Sequence, residues 1–166
     1  MENSLQVLKI IPGTTVDGIG LRTSIYLAGC RHCCKGCHNP QSWDFNAGEP
    51  MEVEEIMERV IEEDFNVTLT GGDPLWQVDK VLPLVKEIKE KGYNIWCYTG
   101  FTWEEIIDSP QLSQILEWVD VIVEGRFVEE LRDISLRFRG SSNQRIIKVK
   151  ETLENKDYYN SLKENC

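Results

Sequence analysis

Two rhythms of hydrophobic and polar positions take turns along this chain. Leu5-Gln6-Val7-Leu8-Lys9-Ile10-Ile11 reads as a first strand, followed by a loop from Pro12-Gly13 to Gly18-Ile19-Gly20, and Thr23-Ser24-Ile25-Tyr26-Leu27-Ala28 reads as a second strand. Val53, Ile56, Met57, Val60 and Ile61 then recur at helical spacing. Glu52, Glu54, Glu55, Glu58, Glu62 and Glu63 fall mostly on the other side, which predicts an amphipathic helix with a solvated acidic face. Asn66-Val67-Thr68-Leu69-Thr70 is rich in β-branched residues and predicts a strand, ended by Gly71-Gly72-Asp73-Pro74. Val78, Val81, Leu82, Val85 and Ile88 form a second helical stripe, for which Gly92 is a natural stop. Tyr93–Thr99 is the next strand. Thr102 and Glu105 make a capping box that starts a helix at Trp103, Ser109-Pro110 interrupts it, and Leu112, Ile115 and Leu116 resume it. Val119–Glu124 and Arg145–Val149 complete the strands, and the polar tail from Glu151 to Cys166 is a short helix or a frayed end.

Strand and helix alternating at short spacing predict a parallel sheet with helices outside it. The 166 residues show no internal repeat, low-complexity run or linker, so residues 1–166 read as one domain. A closed eight-stranded α/β barrel rarely fits in under ~200 residues. The expected architecture is therefore an incomplete, open parallel α/β barrel, with ligands at the carboxyl ends of its strands. The apolar (41%) and charged (28%) fractions are those of an ordinary globular chain. A formal net charge of −10 argues against a nucleic-acid surface, which needs lysine and arginine to neutralise phosphates. No hydrophobic run approaches the ~20 residues of a membrane span, and Met1-Glu2-Asn3-Ser4 does not open a signal segment. These features predict a reducing, cytoplasmic setting with no membrane contact.

The chemistry concentrates in Cys30-Arg31-His32-Cys33-Cys34-Lys35-Gly36-Cys37-His38-Asn39-Pro40. Four of the six cysteines fall within these residues, too close for a spread disulfide framework. Thiolates on one short loop can converge on a metal centre. Two registers of three are open: Cys30, Cys34 and Cys37, or Cys30, Cys33 and Cys37. Zinc, completed by His32 or His38, is a competing use of the same residues, and a disulfide has no oxidising setting to favour it. Three thiolates on a 4Fe-4S cluster would leave one iron open to another ligand, because full ligation takes four. Cys97, inside a predicted strand, reads as a small buried hydrophobe, and Cys166 as an idle terminal residue.

The cysteine loop, followed by Trp43-Asp44, stands in order with Gly71-Gly72-Asp73-Pro74-Leu75 and Arg139-Gly140-Ser141-Ser142-Asn143-Gln144. Together they resemble the radical S-adenosylmethionine (SAM) enzymes. Within these, the chain looks like a glycyl-radical-enzyme activase of the branch that serves anaerobic ribonucleotide reductase, from about Ile11 to Ile147. One departure is Ile19, where activases usually carry proline between two glycines ahead of an arginine; Gly18, Gly20 and Arg22 are kept. The resemblance implies that Cys30, Cys34 and Cys37 hold a 4Fe-4S cluster and that Cys33 is spare. It further implies that SAM chelates the open iron, that Gly36, Cys37 and His38 line the SAM site, and that Gly72 meets the methionine portion. One electron then splits the S–C5′ bond of SAM, and the resulting radical takes a hydrogen atom from one backbone glycine of the reductase, with no acid–base side chain required. The implied partners are the reductase and a low-potential electron donor such as flavodoxin or ferredoxin. Activation of another glycyl radical enzyme, such as pyruvate formate-lyase, is the alternative. By composition alone Leu136–Gln144 is a solvated loop; the resemblance makes it a hallmark near the active site. The Arg137–Arg145 stretch concentrates positive charge near that edge of an acidic chain and is the expected docking contact.

Overall fold

The computed structural model describes residues 3–155 together with Asp157 and Asn160; Cys166 lies outside the described residues. Among them the strands are β1 (Leu5–Thr14), β2 (Arg22–Leu27), β3 (Glu49–Met51), β4 (Asn66–Gly71), β5 (Ile95–Tyr98), β6 (Val121–Glu124) and β7 (Arg145–Lys148). The α-helices are α1 (Val53–Glu63), α2 (Val78–Glu90), α3 (Trp103–Asp108) and α4 (Val149–Glu154). All seven strands join one sheet in the order β3-β1-β2-β4-β5-β6-β7.

The heart of the sheet is parallel: β2 pairs with β4, β4 with β5, and β5 with β6, each in parallel register. The crossovers carry α1, α2 and α3, long enough to return the chain to the amino edge. The margins correct the expectation of an all-parallel sheet. β1 runs antiparallel to β2 and β3, and β7 antiparallel to β6. Residues 15–21 between β1 and β2 are too few for a crossover. Residues 125–144 hold only a single 3-10 turn at Glu129–Leu131, so no helix carries the chain back and β7 returns in the opposite sense. The fold is thus an open, mixed α/β sheet with a parallel centre, and β3 and β7 are its edges.

The two faces of the sheet differ. On one, Ile25, Leu27, Val67, Leu69, Ile95, Cys97, Ile122 and Ile147 pack with apolar residues of α1, α2 and α3 into a single core. Alternate residues turn to the other face, where Trp96, Val121 and Val123 form a small second cluster with Tyr98, Phe138 and Ile146, all from strands and loops. Arg22, 1% exposed, pins the amino edge of this face. Its guanidinium donates to Thr68 Oγ1 (2.8 Å), the Val67 carbonyl (2.8 Å), Asn94 Oδ1 (2.9 Å) and the Ile19 carbonyl (3.0 Å), tying the 15–21 loop to β4. No helix among the described residues is long and apolar enough to cross a membrane.

Candidate metal centre

The parallel strands deliver their carboxyl ends to one edge. β2 runs into Ala28-Gly29-Cys30, β4 into Gly72-Asp73, β5 into Thr99-Gly100 and β6 into Gly125. A cavity of about 560 Å³ opens there, lined by Cys30, Cys34, Cys37, His38 and Gly72, among others. Its floor is one row across the sheet: Tyr26 lies opposite Thr70, and Tyr98 opposite Val123, in adjacent registers that run through Leu69 and Cys97. Asp17 stands beside this floor and accepts hydrogen bonds from Ser24 Oγ (3.0 Å) and the Tyr26 hydroxyl (2.9 Å). Burial and that bond push the Tyr26 phenol up to about 12.

The cysteine loop has little regular structure, and backbone bonds set its entry. The Gly29 N–H donates to the Ser42 carbonyl (2.7 Å) and the Cys30 N–H to the Trp43 carbonyl (3.2 Å). Three thiols, those of Cys30, Cys34 and Cys37, line the cavity. Asn39 N–H donates to Cys37 Sγ at 3.4 Å. Burial pushes the Cys30 thiol up to about 11 and the Cys34 thiol upward, opposed by amide bonds from His32 and Phe127 respectively. Cys33 is exposed, takes a left-handed backbone (φ +53°) and does not line the cavity. Cys97 is fully buried, and its thiol is pushed strongly upward by that burial, as suits an inert core residue.

Asp73 organises the surroundings, a role the sequence did not reveal. It is fully buried. Its Oδ2 accepts from Thr99 Oγ1 (2.9 Å) and the Gly100 N–H (2.9 Å) and lies 2.6 Å from His32 Nε2, while Oδ1 accepts from the Leu75 N–H (3.0 Å). One carboxylate therefore joins the cysteine loop to the ends of β4 and β5. The His32 ring packs against Phe101 (4.7 Å) and Trp76 (5.4 Å), and its edge occupies the place where a Cβ on Gly100 would sit. His38 instead packs on Phe127 (5.2 Å). Gly72 meets the loop even more tightly: a Cβ there would lie 2.5 Å from the Gly29 carbonyl oxygen and 2.8 Å from that of Ser42. Gly36 does not line the cavity; it turns at φ +76° against Glu129.

These residues suit an iron–sulfur cluster in donor chemistry, since soft thiolates on an open cavity are what such clusters take. Among the described residues no three His, Cys, Asp or Glu side chains gather as the ligands of a single metal ion. His32, one of two candidates to complete a zinc site, is engaged with Asp73.

A thiol-lined cavity on the carboxyl edge of an α/β sheet defines the class, and the family comparison agrees: residues 16–147 match the family described as a 4Fe-4S single cluster domain. A protein of Haemophilus influenzae named anaerobic ribonucleoside-triphosphate reductase-activating protein is 35% identical over 88% of this chain and 99% of its own length. Proteins of the same name from Escherichia coli and phage T4 are 38% and 34% identical, covering 92% and 90% of their own lengths and 80% and 83% of this chain. The chain belongs to this family of activating proteins. Among solved structures, QueE from Escherichia coli aligns with a TM-score of 0.52 at 17% identity, over 60% of this chain and 53% of QueE, a likeness of fold.

Proposed function

We propose that this protein is an activating enzyme that generates a glycyl radical on anaerobic ribonucleotide reductase, with Cys30, Cys34 and Cys37 holding a 4Fe-4S cluster and Cys33 spare. One observation carries the ligand set: of the four clustered cysteines, only these three line the cavity that Gly72 also lines. When bound and reduced, the cluster supplies one electron for the reductive cleavage of SAM, the chemistry that removes a hydrogen atom from a backbone glycine. The chain's residues hold and shield. Asp73 fixes His32, and hence the first half of the cysteine loop, against the end of β5. Gly72 and His38 bound the space for SAM beside Cys37. Tyr26, Thr70, Tyr98 and Val123 close the floor against water, which a radical reaction requires. Gly36 contributes by letting the loop turn between Cys34 and Cys37.

The open sheet is read as part of an incomplete barrel, in one domain, whose missing wall the reductase supplies on docking. A low-potential donor such as flavodoxin or ferredoxin delivers the electron, in a reducing cytoplasm.

Alanine replacement of each clustered cysteine, followed by anaerobic reconstitution and iron analysis, tests the ligand set. Iron should fall sharply in Cys30→Ala, Cys34→Ala and Cys37→Ala and stay near parent levels in Cys33→Ala. Loss in Cys33→Ala with retention in Cys34→Ala would reverse the register. The reduced, reconstituted protein should also convert SAM to methionine and 5′-deoxyadenosine without reductase.

A further inference from the structure

The face of the sheet away from the helices holds a second cavity, of about 520 Å³, at the amino ends of the parallel strands. Trp96, Val121 and Ile146 form its floor and Phe138 one wall, all members of the small second cluster. The strand registers place it directly beside the cysteine-lined cavity. Trp96 lies opposite Val121; two residues on, Tyr98 lies opposite Val123, and Val123 opposite Ile146. Side chains two apart on a strand share a face. Tyr98 and Val123 therefore floor one cavity, and Trp96, Val121 and Ile146 the next, on one continuous surface.

Phe138 is held over this floor at a conformational cost. Its backbone is left-handed (φ +64°), which a bulky side chain rarely adopts, and its ring meets Trp96 edge-on at 5.3 Å. Backbone strain of this kind is kept where the placement of the side chain matters. The rim is basic. Arg137, stacked on the Phe138 ring at 4.7 Å, and Lys148, opposite Val121 on the edge strand β7, both line the cavity and are exposed. Lys35, Lys89, Arg126 and Arg145 are paired with carboxylates, whereas among the described residues no carboxylate pairs with Arg137 or Lys148.

We propose that this cleft anchors the reductase by taking one large apolar side chain from a surface segment that carries a carboxylate within two residues of it. The inference rests on the reading that the substrate is that protein, and it names the surface that holds it. Charge and continuity select the occupant. The floor suits an apolar group and the unpaired rim an acid, and a partner that brings a backbone glycine to the cysteine cavity lies over the adjoining face. A few anchors seated in pockets carry most of the affinity of an interface, and rim charges set the rate and salt dependence of encounter.

The test uses full-length protein reconstituted with iron and sulfide, together with the cognate reductase. Lys148→Glu reverses the rim and Phe138→Ala removes the wall; affinity is read by calorimetric titration at low and high salt. Each variant should bind about tenfold more weakly at low salt, as for the loss of one well-placed contact, with iron content at the parent level. The Lys148→Glu loss should shrink at high salt, and the Phe138→Ala loss should persist. A further variant carries photoreactive benzoylphenylalanine in place of Phe138, and mass spectrometry identifies what it crosslinks. The expected crosslink falls in a reductase segment with a large apolar residue and an Asp or Glu within two positions. Parent-level affinity in either substitution overturns the anchor. So does a crosslink to a reductase segment without an acid, a crosslink only to a second copy of this chain, or none to the reductase. Should Phe138→Ala fail to fold, Lys148→Glu and the crosslink decide. A parent protein that neither binds nor activates the reductase overturns the proposed function and this inference together. A parent that does both, with variants that match it, overturns this inference alone.

Discussion

Gly72 shows how one residue answers to two demands. The family resemblance gives it to the methionine end of SAM, whereas the fold gives it a packing reason that operates with no ligand at all. A Cβ would press on the carbonyl oxygens of Gly29 and Ser42, both backbone atoms that cannot swing aside. Gly72→Ala should therefore lower the melting temperature of the cluster-free protein. Overpacking of this kind costs about 1–3 kcal/mol, at roughly 2–4 °C per kcal/mol for a chain of this size. An unchanged melting temperature, with SAM cleavage lost, would leave the ligand contact as its whole purpose. What the residue scale disclosed in advance follows the same division. The cysteine spacing announced a metal site but left Cys33 and Cys34 interchangeable, because the left-handed turn that takes Cys33 out of the cavity has no counterpart in spacing. Asp73 went unread beside its glycines for a related reason: its bond to the Leu75 N–H is local, but its partners His32, Thr99 and Gly100 are brought to it only by the sheet.

At the scale of elements, locally coded features were legible and cross-element ones were not. The Thr102–Glu105 capping box is present with both of its bonds, and α3 starts at Trp103 as its chemistry dictates. The apolar stripes of α1 and α2 face the core except at Ile61, which is exposed. β3 was missed because Glu49–Met51 has no strand pattern and owes its pairing to the neighbouring edge of β1. The ion network that docks α3 on β6 and β7 was equally invisible, since its members lie 21 and 41 residues apart in sequence. Arg145 donates to both oxygens of Glu124 (2.9 and 2.8 Å) and to Glu104 (2.8 Å), and Glu124 also accepts from the Trp103 N–H (2.6 Å). The Glu124 side chain is 1% exposed. Removing the cation alone strands a buried carboxylate, a loss of roughly 3–5 kcal/mol. Arg145→Met should destabilise the protein by about that amount in chemical denaturation, and adding Glu124→Gln should recover part of it. An additive double mutant would show that the two side chains do not act as a pair.

Among the described residues the sheet presents one helix-covered face and one that carries a small cluster under Phe138. Length foretold an unclosed structure, but the antiparallel margins depended on loop lengths weighed against crossover geometry, which the strand pattern does not display. The same geometry bears on the proposed docking stretch. The Arg137–Arg145 stretch concentrates positive charge in sequence, yet Arg145 is spent on Glu124 and Glu104, and Arg139 donates to the Gln144 carbonyl. Arg137 is exposed and stacked on Phe138 at 4.7 Å, and Ile134, three residues before it in the chain, is 90% exposed. In a chain of net charge −10, an exposed arginine suits an acidic segment of a partner, and steering by such charges weakens as salt shortens the Debye length from about 10 Å at 0.1 M to about 3 Å at 1 M. Arg137→Glu should therefore raise the reductase concentration needed for half-maximal glycyl-radical formation about tenfold and flatten its salt dependence, while iron content stays at the parent level. Arg139→Ala, which opens the loop instead of discharging the surface, should disturb the cluster spectrum as well. If Arg137→Glu activates the reductase with parent affinity at low salt, the docking contact lies on another face, and the exposed apolar residues of the 15–21 loop, Val16, Ile19 and Leu21, become the surface to alter next.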